Sequence, residues 1–115
     1  MSTIPSSSIS RMGMQAAAKQ QQASAHNVSN VNTDGFQAVE IVQEMSAQGG
    51  VTTDVRHTGD PAPVLLRNQE LVLGSNTDLV RESVNQISAL GAYRANAAAF
   101  KAADEMTDEL LKILA

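Results

Sequence analysis

Residues 76–115 place the strongest constraint on how this 115-residue chain can fold. Their apolar residues recur mostly at steps of three and four, which places them along one side of a helix. The stretch has no proline and a single glycine, Gly91. Asp78 stands where a short polar side chain can accept N–H groups of a first helical turn. Such a helix is roughly 55 Å long at about 1.5 Å per residue. It is too long for a small globular core and requires a partner helix or a second copy of itself.

The apolar side of this predicted helix is the candidate surface for helix pairing and for contacts between subunits. It comprises Val84, Ile87, Leu90, Tyr93, Ala97, Phe100, Ala103, Met106, Leu110, Ile113 and Leu114. Residues 9–30 show a fainter helical pattern, in which a seven-residue repeat is formed by Met14, Ala17, Gln21, Ser24, Val28 and Val31. Residues 1–8 are mostly polar and predict a mobile lead-in. Because a helix with so small an apolar stripe is marginal in water, we expect it to become stable only when packed.

The segment between the helices begins with a turn. Asp34-Gly35 is a strong turn signal, and Asn and Gly tolerate a positive φ, so the first helix is expected to end before Phe36, which anchors the chain. Short alternating apolar runs then predict strands at 37–45, 51–57, 64–67 and 70–73. The sequence therefore divides into a lead-in and helix (1–35), a small β-rich insert (36–75) and a second helix (76–115). The predicted fold class is mainly α, with an irregular β insert.

Composition and charge exclude several functions. The hydrophobic fraction is 43%, but with two Phe, one Tyr and no Trp much of it is alanine, which favours helix contacts over a thick core. The net charge is −4 and no basic patch is present, which argues against binding to nucleic acid. No apolar run approaches the roughly 18 residues of a membrane span, so direct membrane insertion is not expected. The chain has no cysteine, which excludes disulfides and thiol catalysis.

The polar residues do not form a catalytic or metal-binding pattern. His26 and His57 are far apart and lack ligand spacing, which favours solvent or structural roles. The carboxylates near the C-terminus are best explained as a solvated helix face, since Lys101 and Lys112 lie one turn from acidic partners. We therefore predict no enzymatic activity, no cofactor and no metal.

Two sets of residues at opposite ends resemble the bacterial flagellar axial family of rod and hook subunits. The first is the run Ala25 to Ala38, which is similar to the family's N-terminal signature A-N-N-I-A-N-A-N-T-x-G-F/Y. The matching motif residues are Asn27, Asn30, Asn32, Thr33, Gly35 and Phe36. The second comprises 75–80, 92–97 and 102–106, which resemble the C-terminal N-x-D-L-V-x-E-x-V and A-Y-x-A-N-A blocks. The short middle looks most like the small proximal-rod subunits. His26 and Asp34 depart from the usual Asn and Pro.

The resemblance implies a structural subunit of the basal-body rod. It implies that the terminal helices pair as an antiparallel coiled coil when the subunit joins a helical tube. Met14, Ala17, Val28 and Val31 would then face Leu90, Tyr93, Ala97 and Phe100, and the remaining apolar residues would meet neighbouring subunits.

The implied partners are copies of the chain, other rod and basal-body proteins, and the flagellar type III export apparatus. The implied location is the periplasm-spanning rod of the basal body, reached without a cleaved signal peptide. The sequence leaves a second interpretation open, a small soluble coiled-coil adaptor or export chaperone that binds one partner through the same stripe. Assembly into tubes favours the first interpretation, and a discrete dimer or 1:1 complex favours the second.

Overall fold

A computed structural model describes residues 5–115, which form two long helices with two β-hairpins between them. The elements are α1 (Ser6–Ser29), β1 (Val39–Met45), β2 (Val51–His57), β3 (Val64–Arg67), β4 (Glu70–Leu73) and α2 (Leu79–Leu114). The molecule is elongated, with extents of 77 × 26 × 14 Å. The predicted fold class, mainly α with a small β insert, is confirmed.

The first helix begins earlier than the sequence pattern predicted. Residues 1–4 lie outside the described part, but Ser6, Ser7 and Ser8 already belong to α1. Pro5 has a φ of −58°, a value compatible with the start of a helix, and its carbonyl accepts from the backbone N–H groups of Ser8 and Ile9. The proline therefore starts the helix three residues earlier than the apolar pattern suggested.

The two helices run antiparallel. Ser24 Oγ donates to the carbonyl of Glu82 at 3.2 Å, and near the other end of α1 Gly13 lies against the side chain of Asn96. Continuing this register places Ser6 beside roughly residue 103 of α2. Because α2 has 36 residues and α1 has 24, residues 104–114 extend beyond α1, and we call this segment the overhang.

Small and polar side chains form the contact between the helices. The buried residues of α1 include Ser10, Ala17, Ser24 and Asn27. A Cβ at Gly13 would overlap the Asn96 side chain, so this glycine permits the close approach. Bulky side chains are excluded from so narrow a seam. Consequently Met14 and Val28, which the sequence pattern placed in the seam, lie beside it, half-buried and 36% exposed respectively.

The first hairpin lies along α1. β1 and β2 pair antiparallel from Val39↔His57 to Met45↔Val51, and the turn uses Gly49 and Gly50, both at positive φ. Met12 covers Gly50, and Lys19 Nζ donates to Thr53 Oγ1 at 3.0 Å. The predicted bounds of β2, β3 and β4 are confirmed, whereas β1 begins two residues later than predicted.

The second hairpin, β3–β4, packs against neither helix and does not contact β1–β2. Its strands pair from Val64↔Leu73 to Arg67↔Glu70, across a turn in which Asn68 and Gln69 both have positive φ. Asn68 and Gln69 adopt this conformation less readily than glycine would. Positive φ at both central residues nevertheless matches the right-handed twist of strands joined by a two-residue turn. Two contacts hold the hairpin to the residue 34–36 region. Gly35 N donates to Leu73 O at 2.8 Å, and Arg67 pairs with Asp34 at 3.0 Å.

Candidate assembly interface

Asn27 joins three elements at the base of the helix pair. Its side chain, which is 1% exposed, donates from Nδ2 to Val39 O at 2.7 Å and to Glu82 Oε1 at 2.9 Å. Its Oδ1 accepts from Val39 N at 2.9 Å, and its own carbonyl accepts from Thr77 Oγ1 at 3.1 Å. One side chain therefore pairs with both backbone groups of Val39 in β1 and with a carboxylate of α2. This geometry sets the register of α1 against both neighbours.

Asn76 makes an equivalent junction just before α2. Its Oδ1 accepts from Ala38 N at 2.5 Å, and its Nδ2 donates to Asp60 O at 3.0 Å. Its backbone N–H donates to Phe36 O at 3.2 Å. Asn76 is 9% exposed. Its hydrogen bonds therefore satisfy backbone groups of the loops that would otherwise have to bond to water. The two asparagines together fix where the chain leaves α1 and where it enters α2.

The entry to α2 is further held by charged residues. Asp78 Oδ1 caps the helix by accepting from Val80 N at 3.0 Å and Arg81 N at 3.2 Å. Arg81 Nη1 donates to Asp60 Oδ2, and this hydrogen bond together with the negative charge of Asp60 raises the pKa of Arg81 above its usual value. The exposed pair ties the 58–63 loop to the first turn of α2.

The turn after α1 follows the conformation that its sequence predicted. Gly35 has a φ of +73°, and Phe36 is half-buried with its ring edge-on to His26, 5.3 Å between centroids. Asn30 Nδ2 donates to His26 O, and Thr33 Oγ1 donates to Asn30 Oδ1. Asn32 is exposed. The motif residues are thus brought together, but only Asn27 is buried.

Most of the predicted interface residues remain accessible in the single chain. Ala17 is buried, whereas Met14, Val31, Ala97 and Ala103 are half-buried. The remaining ones, which are all large and apolar, are exposed: Val28, Val84, Ile87, Leu90, Tyr93, Phe100, Met106, Leu110, Ile113 and Leu114. Leu90 and Tyr93 border a groove of about 290 Å³ beside Ala17 and Ala89 at the edge of the seam. Packing of these residues against another subunit stays a prediction.

The sequence patterns missed the polar half of this site. Asn76, Glu82 and Asn96 lie in the seam or at its base, although none belongs to the predicted stripes. Ser24, which the predicted repeat of α1 included, also lies in the seam. For α1 the available signal was the seven-residue spacing of Ser10, Ala17 and Ser24, of which the predicted repeat included Ala17 and Ser24 but not Ser10.

Within residues 5–115 no cluster of acidic, histidine or cysteine residues is arranged to hold a metal ion. Neither of the two helices there is both long and apolar enough to cross a membrane. In this part of the chain the buried hydrophobic residues are Ala16, Ala17, Ala38 and Ala89. The described part of the chain is thus an elongated helical hairpin with an alanine core and accessible large apolar residues.

Comparison with protein families gives two matches, one at each end of the chain. Residues 9–37 match the family described as flagella basal body rod protein. Residues 68–113 match the family described as flagellar basal body rod FlgEFG protein C-terminal. Together they include most of both helices and the two asparagine junctions, in the order expected for one rod protein. The chain belongs to the flagellar basal-body rod family and is a structural protein of the basal body. No curated protein sequence matches it.

Proposed function

We propose that this chain is a rod subunit that assembles with copies of itself and with other rod proteins into a helical tube through its paired terminal helices. The short segment between the family matches favours a proximal-rod type, and family membership favours delivery by the flagellar type III export apparatus without cleavage of a signal peptide. The proposal implies no catalytic step, cofactor or metal.

The observation that carries this proposal is the distribution of apolar residues. Within residues 5–115 the buried hydrophobic residues are four alanines, whereas Leu110 is 57% exposed and Ile113 is 76% exposed. Burying a large aliphatic side chain contributes about 1.5–3 kcal/mol. The single chain does not gain this stabilisation from its large apolar residues, because they remain exposed. Assembly would use it, because neighbouring subunits can cover the apolar side of α2.

The same distribution supports folding coupled to assembly. A hairpin held by alanines and hydrogen bonds has little apolar burial to offset the conformational entropy of ordering its residues. A subunit that is only partly ordered when free, and ordered once packed, can pass through a narrow export channel before it assembles. The adaptor or chaperone interpretation instead requires a stable small complex with one partner.

Leu110→Asp tests the proposal, with Asp108→Asn as its control. Both residues are exposed on the overhang of the single chain, but Leu110 lies on the apolar side. In a subunit interface the new carboxylate would be buried without a partner, a penalty of several kcal/mol unless it protonates or reaches water.

Both variants should be examined in a strain that lacks this chain, with export and incorporation into purified basal bodies measured separately. We expect Leu110→Asp to be exported normally but not incorporated, and Asp108→Asn to behave as the parent chain. Normal incorporation of Leu110→Asp would contradict packing of this face between subunits.

A further inference from the structure

The β3–β4 hairpin presents an aliphatic face that nothing in residues 5–115 covers. Residues that alternate along a strand share a face, and so do directly paired residues across a hairpin. Val64 with Leu73 and Leu66 with Leu71 therefore lie on the same side. These four side chains are between 59% and 76% exposed. We call them the hairpin face.

This hairpin lacks the support that an isolated two-stranded sheet needs. Two strands alone are at best marginally stable in water, and β3–β4 has no packing contact with the helices or with β1–β2. Within residues 5–115, its polar contacts with the rest of the chain are the Leu73–Gly35 hydrogen bond and the Arg67–Asp34 pair. An apolar surface that covers the hairpin face would supply the missing support.

The overhang of α2 is a matching surface at the other end of the molecule. Met106, Leu110, Leu111, Ile113 and Leu114 are each at least 57% exposed there. The overhang is about 16 Å long, and a four-residue strand is about 13 Å long. The hairpin is attached next to the first turns of α2, so almost the whole length of that helix separates the two surfaces, and a single chain cannot bring them together.

Charge distinguishes between the two hairpins as acceptors for the overhang. Residues 104–114 carry four carboxylates and one lysine. Residues 39–57, the β1–β2 hairpin, carry three carboxylates and one arginine, whereas residues 64–73 carry one glutamate and one arginine. Like charges therefore disfavour the overhang on β1–β2 but not on β3–β4.

We propose that the hairpin face of one chain binds the overhang of a second copy. The two surfaces differ, so the contact is head-to-tail, and each chain added leaves one unused surface of each kind at the ends. A contact of this kind produces an open filament or a helical array instead of a closed dimer. The inference rests on the proposed function, because it specifies which surfaces join copies along the assembly.

Cysteine crosslinking tests the contact directly, because the chain contains no cysteine of its own. Leu66→Cys and Leu110→Cys chains are mixed at a concentration at which the parent chain associates, and then oxidised mildly. We expect the mixed disulfide to dominate. A chain that carries both substitutions should give a ladder of dimers, trimers and higher species on a non-reducing gel. Val55→Cys mixed with Leu110→Cys is the matched control, because Val55 is a comparably exposed aliphatic residue on β2.

Self-association of the parent chain, measured by sedimentation, separates the two levels of the proposal. Sedimenting polymers without the Leu66–Leu110 crosslink, or with Leu66 linked chiefly to Leu66, would overturn the head-to-tail contact and leave the rod subunit proposal intact. A parent chain that stays monomeric at every concentration would contradict assembly from copies of itself.

As a second variant, Leu71→Ser should raise the concentration at half-maximal association at least tenfold, and Val55→Ser should not. Equal effects of the two substitutions would also overturn the contact.

Discussion

At the scale of single residues, the structure depends on polar side chains that hydrogen-bond to backbone N–H and carbonyl groups of other elements. Asn27 pairs with both backbone groups of Val39 and with Glu82, and Asn76 pairs with Ala38 and Asp60. Each amide is buried and therefore fixed by what it bonds. In a seam without large apolar residues, hydrogen bonds provide the specificity of register that interlocking side chains provide in other coiled coils.

Asn27→Ala tests this role. The substitution leaves the Val39 N–H and carbonyl, and one oxygen of Glu82, without the partner they now have. Each buried group left unsatisfied costs about 1–3 kcal/mol, so we expect a total loss of at least about 2 kcal/mol of folded-state stability. The chain concentration at half-maximal helicity, measured by circular dichroism, should then rise at least about tenfold, since 1.4 kcal/mol corresponds to a factor of ten.

Asn32→Ala is the control for this measurement. Asn32 belongs to the same motif but is exposed. Its side chain makes no hydrogen bond within residues 5–115 of the structure, so its replacement should leave the midpoint unchanged. Equal effects of the two substitutions would show that Asn27 acts through local turn propensity and not through its buried bonds.

The departures from the family pattern also have partners at this scale. His26 contacts the edge of Phe36, and Asp34 pairs with Arg67 of β3. Both residues therefore take part in holding the turn and the second hairpin near the end of α1. The second of these pairs is exposed, so its contribution to stability is small.

At the scale of elements, the sequence predicted α2 and three of the four strands well because their signals are local. The spacing of apolar residues, the Asp78 cap and the glycines of the turns each act within a few residues. The side of α1 that meets α2 was predicted one residue away from its actual position. Ala17 and Ser24 belong to both the predicted and the observed repeat, but Asn27 and Gly13 take the places expected for Val28 and Met14. Which face pairs depends on the partner helix, and no local rule contains that information.

Gly91→Ala is the prediction for α2. Gly91 is exposed within the helix, and a Cβ there would meet no atom within 4 Å. Alanine should stabilise the helix by about 1 kcal/mol relative to glycine, because it restricts the unfolded chain and introduces no clash. We expect higher helicity of the dilute chain by circular dichroism.

Gly13→Ala is the contrasting variant. It should lower helicity or association, because its Cβ overlaps Asn96. A gain from both substitutions would contradict close packing at Gly13.

At the scale of the whole molecule, the chain forms well-defined helices and hairpins but leaves most of its large apolar side chains exposed. The extents of 77 × 26 × 14 Å leave almost no interior, and the buried hydrophobic residues of the described part are alanines. The sequence indicated this state through its length of helix and its shortage of aromatic residues. It did not indicate the polar junctions at Asn27 and Asn76, because their partners, which are backbone groups and the Glu82 carboxylate, belong to other parts of the chain.

Helicity as a function of chain concentration tests the central claim, that folding of the helices is coupled to assembly. Far-ultraviolet circular dichroism of the isolated chain should show low helicity at high dilution. As the concentration rises, helicity should increase steeply and together with the sedimentation coefficient. A monomer that is fully helical and unfolds cooperatively at the lowest measurable concentration would contradict the claim.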